Sequence, residues 1–107
     1  MTVVPITVVD LVPLKRWSQD DREAFIDFIA RNPLAGTSLG GGVRKVRWAA
    51  RGAGKRGGYR VVYFYHDTHN PIFLLTVFRK SDKDNLTSGE KQDILRLAKA
   101  LKNEMKT

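Results

Sequence analysis

Apolar positions along the chain switch period several times, and each switch marks an element. Val3 to Val9 is β-branched and apolar; Pro5 inside it marks an edge strand or an irregular lead-in, because proline has no amide hydrogen for a sheet. Ser18-Gln19-Asp20-Asp21 opens a helix. The serine hydroxyl can accept a free amide hydrogen, and the acids face the positive end of the helix dipole. Ala24, Phe25, Phe28 and Ile29 follow at helical spacing, and Asn32-Pro33 ends the run. Gly36 to Gly42 reads as a loop, since Gly40, Gly41 and Gly42 suit neither a helix nor a strand interior. Val43 to Ala50 then alternates, with Val46, Trp48 and Ala50 on one face and Lys45, Arg47 and Ala49 on the other. Tyr59 to His66 is aromatic and β-branched, and Ile72 to Phe78 is almost wholly apolar, the pattern of a strand covered on both sides. Asp67-Thr68-His69-Asn70-Pro71 between them is turn chemistry. Finally Thr87-Ser88-Gly89-Glu90 has capping-box spacing, followed by an apolar stripe of Ile94, Leu97, Ala98, Leu101 and Met105.

The order strand, helix, strand, strand, strand, helix predicts an α+β fold. Its mostly antiparallel sheet has about four strands, flanked by an N-terminal and a C-terminal helix. With 107 residues and no repeat or linker, the chain reads as one domain spanning 1–107. No apolar run reaches the ~20 residues of a membrane helix, and the first residues lack a secretory pattern. The absence of cysteine excludes disulfides and thiolate sites and fits a cytoplasmic protein.

Charge changes the picture more. The net charge is +8, and residues 43–60 carry seven cations (Arg44, Lys45, Arg47, Arg51, Lys55, Arg56 and Arg60) with no acid. A solvated face normally interleaves both signs, so this run predicts a polyanionic partner. Gly52-Ala53-Gly54-Lys55-Arg56-Gly57 matches a dinucleotide-binding pattern by letter. That pattern needs a helix after it, however, and a strand follows here. A P-loop fails because Arg56 stands where Ser or Thr must hold magnesium. His66 and His69 fall at a turn, far along the strand from the basic loop, and no metal-ligand spacing accompanies them. No serine sits in a nucleophile-elbow context. Lysine and arginine remain as the groups able to do chemistry, and neither metal nor cofactor is expected. Alternation sends Arg79 and Lys80, at the end of the last strand, to opposite faces.

Three blocks together resemble the RelE/HigB toxins of type II toxin–antitoxin systems, most nearly the HigB branch. They are Gly42-Val43-Arg44-Lys45-Val46-Arg47-Trp48, then Gly54-Lys55-Arg56-Gly57-Gly58-Tyr59-Arg60-Val61-Val62-Tyr63-Phe64, then Leu74-Leu75-Thr76-Val77-Phe78-Arg79-Lys80 with Asp84-Asn85-Leu86-Thr87. The resemblance implies a metal-independent endoribonuclease that cuts messenger RNA on the ribosome and is silenced by a cognate antitoxin, commonly of helix-turn-helix type. It implies contact with DNA only through the toxin–antitoxin complex, and no membrane partner. By position, Lys55, Arg60 and Lys80 match the family's catalytic cations, and Arg56 belongs to the same basic loop. Arg47, Arg51, Arg56 and Arg79 are the expected RNA-binding set. Leu86 stands roughly where the RelE branch has a tyrosine. A non-catalytic nucleic-acid-binding module, or a ParE-like gyrase inhibitor on the same fold, is the alternative reading. The helix over 18–31, with Asp20, Asp21, Glu23 and Asp27 on its polar side, offers the antitoxin a docking surface.

Overall fold

A computed structural model describes residues 6–11, 18–49, 58–79 and 85–105. Its elements are β1 (Val8–Asp10), α1 (Gln19–Arg31), β2 (Thr37–Gly40), β3 (Val43–Trp48), β4 (Tyr59–Phe64), β5 (Ile72–Arg79) and α2 (Ser88–Glu104). The strands form one sheet in the order β1-β5-β4-β3-β2, antiparallel except for the pairing of β1 with β5. This is the α+β fold that the pattern of apolar positions predicts, with one strand more.

The extra strand comes from the stretch read as a loop. Gly40, Gly41 and Gly42 all have positive φ (99°, 60° and 86°), a region that side chains disfavour. They reverse the chain tightly enough for Thr37 and Ser38 to pair with Lys45 and Arg44. Gly42 has a second reason to lack a side chain, since a Cβ there would meet a Phe64 ring carbon at 2.6 Å.

Both helices start where their caps dictate. The Ser18 hydroxyl accepts the Asp21 amide at 3.1 Å. In α2 the Thr87 hydroxyl accepts from the Glu90 amide, and the Glu90 carboxylate accepts from the Thr87 amide, at 3.1 and 2.9 Å. Asp21 itself is only 6% exposed, so it faces inward rather than joining the polar side of α1. On α2, Leu97 is 41% exposed, and Leu95 takes its place beside Ile94, Leu101 and Met105 around the buried Ala98. A helix of 3.6 residues per turn drifts, so neighbouring residues compete for the same face.

Each helix covers one face of the sheet. Phe25 and Ile29 of α1 pack with Tyr59, Val61, Tyr63, Ile72 and Leu74, and Val46 and Trp48 lie against the same cluster. Ala98 of α2 packs with Val43, Val62, Phe64 and Phe78. All six residues of β4 are buried, as a central strand requires. A register shift after Val62 leaves Leu75 as an extra residue opposite β4, so Leu75 as well as Phe73 joins the α2 face.

The loop between α1 and β2 is clasped from beneath. The Tyr63 hydroxyl donates to the Pro33 carbonyl at 2.7 Å and accepts from the Gly36 amide at 3.1 Å. Arg44 adds bonds to the Gly36 and Leu34 carbonyls at 2.6 and 3.3 Å. A side chain at residue 36 has no room, because its Cβ would lie 2.6 Å from the Lys45 carbonyl oxygen. Burial pushes the Tyr63 phenol above its ordinary pKa, against the opposing pull of the Gly36 bond and the Arg44 charge.

Replacing Tyr63 with Phe should cost about 1–3 kcal/mol, because two buried backbone groups lose their partner. Urea unfolding at unchanged m-value is the measurement. Since the folded state raises this pKa, the neutral phenol's contribution is complete below about pH 10 and is lost as pH rises through the higher folded value. The alkaline loss of stability should therefore be smaller in Tyr63→Phe than in the parent chain.

Candidate functional site

The period of two in β3 divides its basic residues between the faces. Arg44 pairs with Tyr63 and turns to the α1 side, where the loop carbonyls occupy it. Lys45 and Arg47 turn to the α2 side, in register with Val62 and Arg60. Arg60 in turn lies opposite Phe78 of β5. Arg47, Arg60 and Phe78 thus form a row across three strands, with the row of Lys45, Val62 and Thr76 beside it.

Only the Arg47 end of the first row is open to solvent, since Phe78 is buried in the cluster around Ala98. Asn85, just before α2, accepts a hydrogen bond from the Lys45 ammonium at 2.9 Å, while Leu95 lies against Gly41. Hence α2 runs from the Lys45 end of β3 toward the glycine turn, and the Arg47 row lies beyond its N-terminus. Arg47 is exposed, whereas Arg60 is 7% exposed. Residues directly opposite in an antiparallel pair have Cα atoms about 4.5–5.5 Å apart, and like charges there repel. A phosphate between the two guanidinium groups would turn that repulsion into attraction, using planar donor forks that suit its oxygens.

The other predicted site residues are placed less uniformly. Arg79 pairs with Tyr59 and lies over that ring at 5.5 Å, on the α1 face, so it points away from the Arg47–Arg60 row. Lys55, Arg51, Arg56 and Lys80 lie outside the described residues. His66 and His69 are exposed at the β4–β5 turn, on the order of 20 Å from Arg60 by strand rise. His66 stacks on Phe64 there, with ring centroids 6.4 Å apart.

Lys45 is the residue that the sequence reading left out of the site. Its signal was present, since alternation already set it on the face of Arg47. Among the described residues it has no carboxylate partner, and its bond is to the neutral amide of Asn85.

A five-stranded, mostly antiparallel sheet between two helices, with Lys45 and Arg47 on the α2-side face, defines a small α+β protein. The family model described as the RelE toxin of the RelE / RelB toxin–antitoxin system matches residues 23–107, and the chain belongs to that family. It is therefore a toxin of a toxin–antitoxin pair, and its family implies a cognate antitoxin. No helix among the described residues is long and apolar enough to cross a membrane.

The cross-strand arginines generate a test. Sulfate or phosphate should raise the melting temperature of the parent chain more than that of Arg47→Ala at equal ionic strength. At ten times its Kd, an anion held by the folded state contributes about 1.4 kcal/mol. Equal shifts in both proteins would show no anion site at this row.

Proposed function

We propose that this toxin is a ribosome-dependent messenger RNA endonuclease of the HigB-like branch, cutting without metal and so arresting translation. The observation that carries the reading is a RelE-family chain with Arg47 and Arg60 paired across adjacent strands on one face.

In such a cleavage the ribose 2′-hydroxyl attacks the adjacent phosphorus and the 5′-oxygen departs. Negative charge gathers on the phosphoryl oxygens as this happens. Fixed guanidinium groups aimed at those oxygens stabilise the transition state, and losing one such donor costs about a hundredfold or more. In this proposal Arg60 and Arg56 clamp the scissile phosphate, and Arg47 with Arg51 binds the neighbouring backbone. Lys55 or Lys80 accepts the 2′-hydroxyl proton and the other stabilises charge, while the departing 5′-oxygen takes a proton from solvent and leaves a 2′,3′-cyclic phosphate behind. Lysine suits that exchange when like charges surround it, because they disfavour the ammonium form. Arginine does not, since its pKa stays above ~12. Lys45, on the same face as Arg47, joins the phosphate contacts. Arg79 serves the RNA outside this row, from the other face.

The ribosome supplies the rest. A site of cations without a strong acid–base pair cleaves naked RNA poorly, and positioning alone can provide ~7–11 kcal/mol of a barrier. The partner that silences the toxin is proposed to be a helix-turn-helix antitoxin, which brings DNA to the complex only indirectly.

Induction of the parent chain in growing cells should fragment messenger RNA within translated regions. Arg60→Ala with Lys80→Ala should slow that cleavage at least about a hundredfold. Intact messenger RNA would instead favour a non-catalytic nucleic-acid-binding module. Altered plasmid supercoiling would favour a gyrase inhibitor.

A further inference from the structure

The bond between Lys45 and Asn85 joins residues forty positions apart and ties the entrance of α2 to β3. The Asn85 side chain is itself fixed, since its Oδ1 also accepts the Leu86 amide at 2.9 Å. One oxygen therefore fastens the turn before α2 and offers a lone pair to the Lys45 ammonium. An ammonium has three donors, so this contact leaves two for a ligand. Lysine is otherwise a flexible point charge on a four-carbon stem, the least preorganised of cationic side chains.

We propose that Asn85 is a positioning residue for the RNA site: it holds the Lys45 ammonium in place beside the Arg47–Arg60 row without neutralising it. The inference rests on the reading of that row as an RNA-backbone site. Lys45 and Arg47 are two residues apart on one strand face, a step of roughly 6.6 Å by strand rise, comparable with successive phosphates along a single strand. An amide is the suitable anchor, because a carboxylate at 85 would accept the same two bonds while pairing with the charge meant for phosphate. Asn85 has no part in capping α2, which Thr87 and Glu90 accomplish between themselves. Changing it should therefore leave the α2 cap intact and loosen only the turn before the helix.

The test is a double-mutant cycle on the full chain, read as affinity for a single-stranded oligonucleotide whose 2′-hydroxyls are replaced by hydrogen, so that no cleavage occurs. Lys45→Ala should weaken binding by roughly tenfold and reduce the salt slope by about one. Asn85→Ala should weaken it by about threefold or more, and the double variant should bind no worse than Lys45→Ala alone. Asn85→Asp should also lower the salt slope, by pairing with the ammonium, and that effect should vanish when Lys45 is alanine. Losses that multiply in the double variant, or an Asn85→Ala protein that binds like the parent, would overturn the positioning role. Cleavage on ribosomes is scored separately on the same proteins. A parent chain that binds the oligonucleotide and leaves messenger RNA whole defeats the ribonuclease reading while the cycle still decides the role of Asn85. A parent that does not bind the oligonucleotide overturns both.

Discussion

The molecule is organised by a strand that is allowed no solvent. β4 lies between β3 and β5, and all six of its side chains are buried. Alternation gives Tyr59, Val61 and Tyr63 to the α1 side, and sends Arg60, Val62 and Phe64 to the other. Five of these positions are what a core requires. The sixth is a guanidinium group, which is costly to remove from water and cannot lose its proton as a way out. Under the proposed function, its fixed position is what makes Arg60 useful. A charge held by the register of three strands needs little reorganisation when an anion arrives, the property that makes fixed donors effective in a reaction.

The basic run of residues 43–60 is not one surface. Arg44 spends its donors on the carbonyls of Leu34 and Gly36, and with Tyr63 it fixes the α1–β2 loop. Its charge is consumed in building the scaffold. Lys45 and Arg47, one and three residues further on, face the other way and stay available. A count of charges along a sequence treats these three alike, whereas a period of two separates them by role.

Much of this was legible before any coordinates. Both helix starts followed from side chains able to cap them, Ser18 and the Thr87–Glu90 pair, because capping is local chemistry. The faces of β3 followed from alternation, and the three-block resemblance pointed to the family that matches residues 23–107. What escaped was whatever depends on a distant partner. β2 was hidden because Thr37 to Gly40 has no strand composition of its own and owes its pairing to glycines that reverse the chain. Leu97 and Leu95 are equally apolar, and only the position of β3 and β4 beneath α2 decides which one is buried. Asp21 reads as a solvated acid and is buried instead. Lys45 was visible as a cation on the right face. Its bond to Asn85 spans forty positions of sequence and has no local signature.

Several acids among the described residues bond close to home. Glu23 bonds to Gln19, Asp27 pairs with Arg31, Glu90 closes its own cap, and Asp93 pairs with Arg96. Asp67 is held by the Asn70 amide and the His69 N–H, and the Asn70 bond keeps its carboxyl below the usual range. Each of these bonds joins residues no more than four apart, and in two of them, Asp27 with Arg31 and Asp93 with Arg96, the partner is a cation. Exposed pairs of this kind contribute little to stability, at most about 1 kcal/mol. Their larger consequence is for the field around the protein. Acids paired with a neighbouring cation, as Asp27 and Asp93 are, offset charge on their own helices and not on the strand face of Lys45 and Arg47, and a positive face attracts polyanions over distances well beyond contact. If the substrate is messenger RNA on the ribosome, as proposed, that long-range attraction favours encounter, and the fixed geometry of β3 and β4 sets the contacts that follow.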